Sequence, residues 1–198
     1  MDSQLTLVNA TPPICLTFSR NSMINTTLFR DETRHPAYTL TTELRGSATN
    51  LHCSATGKLL ARVTRRELLP DVLAFPDIDN DAKLKEVRLS KWMRRCKLPD
   101  GSHAHIIVSE MGNCVLKKDL LHRLALFTEY DLSTPIAHWD VSVPGSLSLV
   151  LYPGTENFHP QILVAFTVQE LKMRMAEKAD LVAQSRAAAQ SKTLVNVN

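Results

Sequence analysis

A chain of 198 residues suits one domain, and its 44% hydrophobic and 22% charged residues are ordinary for a globular protein. The formal net charge of +3 and the 6% aromatic content do not favour nucleic acid binding. No apolar run approaches the roughly 18–20 residues that span a bilayer, and the first residues lack the basic and apolar regions of a signal peptide. We therefore expect an intracellular, cytoplasmic protein without a transmembrane segment.

Short strands separated by turns are predicted for most of the chain. Residues 14–18, 25–29 and 38–44 alternate in polarity or are rich in β-forming residues, with polar turns between them. The same pattern predicts strands at 50–54, 59–64, 68–75, 87–92, 93–97, 104–109, 113–117, 121–129, 136–143 and 146–152. Residues 120–127 also fit one face of a helix, and here we favour the strand.

A helix is predicted after the last strand. Pro160 suits the first helical position, where its missing N–H costs nothing. Residues 162–166 are all apolar, and further apolar residues follow at Val168, Leu171, Met173 and Met175. Because the first turns are apolar on every side, this helix should be buried on most sides. Residues 176–190 continue the helical propensity with fewer apolar residues, so this part is expected to be exposed.

Antiparallel strands followed by an apolar helix predict a sheet that closes around that helix, because closure removes open edges and covers both hydrophobic surfaces. The predicted fold class is mainly β with one C-terminal helix. We predict a loose tail at 1–13, a single domain at 14–175, and an Ala-rich helical extension with a disordered end at 176–198.

Several segments carry a family resemblance. They are Leu16-Thr17-Phe18, Asn21, Asn25-Thr26-Thr27-Leu28 and residues 36–42 at the front, Gly57-Lys58-Leu59-Leu60-Ala61 and Asp100-Gly101 in the middle, and residues 162–175 at the end. With them the chain resembles the tubby C-terminal-like group, which includes plant LURP-one-like proteins and phospholipid scramblases. It resembles more closely an uncharacterised family of fungal domains often placed in that group. The resemblance implies an antiparallel barrel of about twelve strands around the helix.

The resemblance also implies a direction for function. Tubby implies phosphoinositide binding through basic residues of the barrel wall, and the scramblases imply membrane attachment and a calcium response. The chain departs from the family pattern after the Asp100-Gly101 turn, where Ser102-His103-Ala104-His105 replaces an expected aromatic residue. The fungal family brings no established activity.

A basic segment is the strongest charge feature. Residues 88–97 hold five basic residues and no acid, and a second cluster precedes them; the candidate anion-binding residues are Arg88, Lys91, Arg94, Arg95, Lys97, Arg62, Arg65 and Arg66. Beside an exposed Trp92 they would bind an anionic headgroup or an anionic membrane surface. The alternative is a solvated strand face with Trp92 inside the core.

Metal sites have weaker support. Residues 77–81 are rich in Asp, but Ala82 and Arg88 stand where a calcium loop needs Gly and Glu. His103 and His105 should share one strand face, but no third ligand is near in sequence. The four cysteines form no Cys-x-x-Cys pair and are expected to be buried thiols. We expect no metal and no cofactor.

No glycine-rich phosphate or dinucleotide motif and no nucleophile elbow occurs in the sequence. We therefore favour a non-enzymatic binding module that recognises anionic lipid headgroups, with an anionic membrane surface or a protein as its partner. One alternative is a structural or protein–protein interaction domain without a small-molecule ligand, with residues 176–190 docking on another helix. Another is a hydrolase or transferase whose site is assembled from scattered residues.

Overall fold

The computed structural model describes residues 11–31, 33–77, 83–109 and 112–195, with side chains described as far as residue 186. The front half contains seven strands: β1 Ile14–Phe18, β2 Thr26–Arg30, β3 His35–Thr42, β4 Ala48–Cys53, β5 Leu59–Thr64, β6 Val72–Pro76 and β7 Leu84–Arg88. A short helix, α1 Leu89–Trp92, follows. The back half contains β8 Met93–Lys97, β9 His103–Ser109, β10 Gly112–Asp119, β11 Arg123–Thr128, β12 Pro135–Asp140, β13 Ser148–Leu151 and the long helix α2 His159–Val195.

All thirteen strands belong to one antiparallel sheet, in the order β7-β6-β5-β4-β3-β2-β1-β13-β12-β11-β10-β9-β8. Each half of the chain is therefore a meander of sequential neighbours. The two meanders join where β1 pairs with β13, with Ile14 opposite Leu151 and Thr17 opposite Ser148. The first and last strands of the domain thus lie at the centre of the sheet order, and β7 and β8 lie at its two edges.

The two edge strands must lie close together in space. A flat sheet of this order would separate them by roughly 57 Å, from twelve spacings of about 4.8 Å. The chain from Arg88 to Met93 reaches at most about 19 Å. The sheet therefore curls round until α1 bridges its edges, and α1 contacts strands on both sides, namely β6, β7, β8 and β9. We call the gap between β7 and β8 the seam.

Helix α2 lies in the core of this curled sheet. Residues 162–168 are buried without interruption, which covers every direction around the helix axis. The Phe166 ring meets Trp139 edge-on at 5.2 Å between centroids, and Trp139 meets Phe18 at 5.5 Å. Full burial of such side chains stabilises the fold by about 1.5–3 kcal/mol each. Beyond Met173 the helix leaves the sheet and becomes exposed.

The predicted mainly β fold with a C-terminal helix is confirmed, and several details differ. The sheet has thirteen strands, and no ladder pairs β7 with β8 in the described part of the chain. Residues 89–92, predicted as strand, form a helical turn instead, since the chain must cross the seam there. The strand predicted at 68–75 is shorter, Val72–Pro76, and the ambiguous segment after residue 120 is a strand from Arg123 to Thr128.

The long helix begins at His159, one residue before Pro160, and continues to Val195. It therefore includes residues 193–195, which were expected to be disordered, while the predicted tail residues 1–10 and 196–198 lie outside the described chain. Within the described residues, no helix combines the length and the apolar character that crossing a bilayer requires.

Candidate functional site

A cavity of about 790 Å³ opens beside the seam, at the end of the sheet where α2 emerges. It lies between α1, the inner faces of β8 to β11, the loop between β5 and β6, and the exit turn of α2. Its volume falls in the range of about 300–1,000 Å³ that is typical of small-molecule sites. We call it the seam cavity.

Three cationic side chains border the seam cavity from three elements. Arg95 follows buried Met93 on the inner face of β8, because side chains two apart share a face. Lys118 follows buried Leu116 in the same way on β10. Lys172 comes from α2. None of the three forms a hydrogen bond or a close ion pair with another described residue, although the charge of Lys118 helps to lower the pKa of Glu177.

Lys117 also borders the seam cavity, but its ammonium group is used elsewhere. By strand alternation its side chain lies on the opposite face of β10 from Lys118. Its Nζ donates to the carbonyl oxygen of Leu132 at 3.2 Å and lies 4.4 Å from the centre of the Phe127 ring. We therefore leave Lys117 out of the candidate anion site.

Two histidines and one amide complete the polar lining. His103 and His105 lie on the inner face of β9, opposite Lys97 and Arg95 of β8. Gln169 of α2 has a buried Oε1 without a hydrogen-bond partner in the described part of the protein. An unpaired buried acceptor is costly to leave unsatisfied, and this oxygen can accept a hydrogen bond only from a ligand group that carries a donor.

A single acidic side chain, Asp71, borders the seam cavity among the residues described. Its Oδ1 accepts a hydrogen bond from the backbone N–H of Arg66 at 3.2 Å. The floor is formed by closely packed apolar side chains, those of Leu89, Met93, Leu116 and Leu124. The lining thus combines uncompensated positive charge at the rim with an apolar floor.

The basic residues predicted from the sequence are not one surface. Arg95 borders the seam cavity, whereas Arg88, Lys91, Arg94 and Lys97 are exposed and lie outside its lining. The earlier cluster is engaged within the protein: Arg62 pairs with Glu43 at 2.8 Å, Arg65 donates to the carbonyl oxygen of Gly46 at 2.9 Å, and Arg66 lies 4.0 Å from Glu86.

Trp92 is buried, with its ring 5.8 Å from that of Phe75. Trp92 is therefore not an exposed membrane contact beside the basic segment; it belongs to the core, as the alternative interpretation of that segment expected. Lys118 and Lys172 were missed in the sequence. Lys118 follows Lys117 in β10, and Lys172 is one of three lysines in α2, so neither stands in a long basic run. Strand pairing and the packing of α2 bring them beside Arg95.

The structure places the predicted histidines and cysteines, and it describes one residue of the Asp-rich loop. His103 and His105 do share one strand face, as predicted. Across the described ranges, no three His, Cys, Asp or Glu side chains are grouped to hold a metal ion. The Asp-rich loop is described only at Asp77, so the calcium hypothesis lies outside the described residues. Of the four cysteines, Cys114 is buried, and the other three are half-buried rather than buried as expected.

Comparison of the chain with protein-family models, curated proteins and solved structures gives no match.

Proposed function

We propose that this protein is a non-enzymatic binding module whose seam cavity takes an anionic group, such as the headgroup of an anionic lipid. The observation that carries the proposal is the convergence of Arg95, Lys118 and Lys172 on one cavity without internal partners. Positive side chains near an anionic membrane contribute about 1 kcal/mol each to binding.

The protein offers a matched pair of variants for testing this proposal. Arg95 and Arg94 are neighbours in β8, both exposed, but their side chains lie on opposite faces of the strand. Lys172 borders the cavity and Lys91 does not. The double variants Arg95→Ala/Lys172→Ala and Arg94→Ala/Lys91→Ala therefore remove the same charge, one pair at the cavity and one away from it.

The experiment is flotation of the purified protein with anionic and neutral vesicles at low and at high salt. We expect binding to anionic vesicles only, weakened by salt because exposed charges are screened. The cavity pair should lose most of this binding, and the control pair should keep it. An equal loss in both pairs would show general surface attraction instead, and no binding under any condition would remove the lipid proposal.

A second candidate function is self-association through the exposed part of α2. Beyond Met173 the helix projects from the sheet, and the exposed fractions of Met175, Leu181 and Val182 are 72%, 63% and 42%. Such apolar side chains suit a helix–helix contact with a second copy of the chain.

Truncation after Glu177 preserves the pair that Glu177 forms with Arg123 at 3.0 Å. Sedimentation over a concentration series should show an oligomer that this truncation abolishes; a monomer at all concentrations would exclude it.

A further inference from the structure

His103 and His105 place two titratable groups in the wall of the seam cavity. Both belong to β9 and lie on the face that carries buried Ile107. His105 is half-buried, and His103 beside the turn is exposed. Neither imidazole forms a hydrogen bond or ion pair with another described residue. The His105 ring therefore has no partner among the described residues that would hold it in one protonation state.

The charges around His105 are mainly positive. β8 contributes Arg95, β10 contributes Lys118, and α2 contributes Lys172. Lys117 of β10 also borders the cavity, with its ammonium group donating to Leu132, whereas Lys97 of β8 lies opposite His103 and outside the lining. The loop between β5 and β6 supplies Asp71, whose carboxylate already accepts the Arg66 N–H.

Asp100, in the turn before β9, does not border the cavity, and its carboxylate accepts hydrogen bonds from the backbone and side chain of Ser102. The α1 residues that border the cavity, Leu89 and Ser90, carry no charge. A protonated His105 is therefore repelled by Arg95 of β8 and Lys172 of α2.

Burial lowers the pKa of His105, and the charges of Lys172 and Arg95 lower it further. Without an anion nearby, the His105 imidazole is therefore neutral at neutral pH. An oxyanion seated between the cations would reverse this balance, because an opposite charge nearby favours the protonated form.

We propose that the seam cavity binds its anion together with a proton, which His105 takes up. The inference rests on the proposed function, since it assigns a regulation to the same site. The ligand class is a doubly charged oxyanion, such as a phosphate monoester group or inorganic sulfate. Affinity for an oxyanion whose own charge does not change is highest at mildly acidic pH.

The direction of the pH dependence follows from the thermodynamic linkage between proton binding and anion binding. The histidine has a low pKa in the free protein and a higher one in the complex. Affinity is therefore constant below the free-state pKa, weakens as the pH rises through the bound-state pKa, and is constant again above it. A complex that formed at acidic pH would release its ligand as the pH rises through neutrality.

Inorganic sulfate is the probe, because its charge does not change between about pH 5 and about pH 8, the range in which histidine titrates. The imidazole resonances of the full-length protein would be followed by NMR over this range, in sulfate and in chloride at equal ionic strength. We expect sulfate to raise the pKa of His105, and sulfate affinity to be about tenfold higher at the acidic end than at the basic end.

Variants separate His105 from general charge effects. His105→Asn should lose most of the gain in sulfate affinity at the acidic end. His35→Asn is the matched control, because His35 is exposed at the start of β3 and does not border the cavity.

The outcomes are distinguishable. Sulfate binding whose affinity does not change with pH would overturn the proton coupling and leave the anion site standing. An absence of sulfate binding at every pH would overturn both. Because the pKa of His105 in sulfate and in chloride is measured on the parent protein, the result does not depend on a variant that folds.

Discussion

Glu170 is a fully buried carboxylate at the point where α2 leaves the sheet. Its two oxygens accept hydrogen bonds from Nε of Arg123 at 3.1 and 3.0 Å, and one of them also accepts from Nε of Arg174 at 2.6 Å. Arg174 in turn donates from Nη1 to the carbonyl oxygen of Asn21 at 3.0 Å. One buried charge therefore ties the helix to the β1–β2 and β10–β11 turns.

Arg123 shows what this network holds in place. Its backbone has a φ of 62°, a left-handed conformation that costs a non-glycine residue about 1–2 kcal/mol. Its guanidinium is engaged by Glu170 and, at 3.0 Å, by Glu177, so the turn before β11 is fixed by ion pairs from α2. The carboxylates of the helix thus offset the strain of the turn.

We predict that Glu170→Gln destabilises the fold by about 2–3 kcal/mol. The substitution keeps the shape but removes the buried counter-charge, which leaves Arg174 without a carboxylate partner and Arg123 with Glu177 alone. Breaking a buried ion pair is costly. This value is lower than for a fully buried pair, because both arginine side chains are about one third exposed. Denaturant unfolding would measure it.

Glu177→Gln is the control for this prediction. Glu177 lies on the same helix and pairs with the same Arg123, but its side chain is 52% exposed. An exposed pair contributes roughly 0–1 kcal/mol. If both variants lose the same stability, the burial of Glu170 has no special role.

Among the elements, α1 decides how the sheet ends. Leu89 and Trp92, three residues apart, are both buried, and the Trp92 ring packs on Phe75 of β6. Because the two edge strands form no ladder with each other in the described chain, side chains of α1 fill the space that hydrogen bonds would otherwise close. The same helix borders the seam cavity through Leu89 and Ser90.

We predict that Trp92→Ala costs about 3–5 kcal/mol, as removal of a buried aromatic side chain does. The loss should concentrate at the seam, so amide exchange in β7 and β8 should accelerate more than in the central pair β1 and β13. Exchange read by mass spectrometry would test this. Leu121→Ala, at a side chain that is 78% exposed, should leave both stability and exchange unchanged. Uniform acceleration across the sheet would contradict a local role for α1.

Local sequence patterns predicted most of the strands and the buried helix, but not the turn at the seam. Alternating polarity predicted most strands, and Pro160 with the apolar run after it predicted the buried part of α2, because these signals are local. The 89–92 segment was predicted as strand, since Leu89 and Trp92 suit a strand as well as a helical turn. The need to turn there comes from the curl of the whole sheet, which no local pattern contains.

In the candidate site, too, only the residue with a local sequence pattern was predicted. Arg95 was predicted because it stands in a basic run, although the neighbouring Arg94 in the same run faces away from the cavity. Lys118 and Lys172 do not stand in a long basic run that would mark them in the sequence. Only the pairing of β8 with β9 and β9 with β10, and the packing of α2 inside the sheet, place these charges together.

At the scale of the whole molecule, three histidines in different regions share one property: burial lowers the pKa of His105, His138 and His159. His138 stacks on His122 at 3.8 Å between ring centroids, and the charge of His122 lowers its pKa further. His159, at the start of α2, contacts the Thr155 hydroxyl at 3.3 Å and the Tyr38 hydroxyl at 3.5 Å.

These shifts predict that stability falls as the pH drops below about 6.5, the ordinary pKa of histidine. Above that pH, the three rings are neutral in the folded and unfolded states, and their contribution is fully present. Below it, the unfolded chain binds protons that the folded protein binds less well, so the free energy of unfolding decreases. Carboxylates with lowered pKa values, such as Asp140, add their loss only at more acidic pH.

Denaturant unfolding between about pH 8 and about pH 5, in chloride and in sulfate at equal ionic strength, measures this slope. We expect stability to fall toward acidic pH in chloride and to fall less in sulfate, because a ligand that binds only the folded protein stabilises it by mass action. The stabilisation by sulfate should grow as the pH falls. Protonated His105 is unfavourable without an anion, and it strengthens the binding of sulfate. Stability that rises toward acidic pH in chloride would contradict the buried neutral histidines, and a sulfate effect independent of pH would separate the anion site from His105.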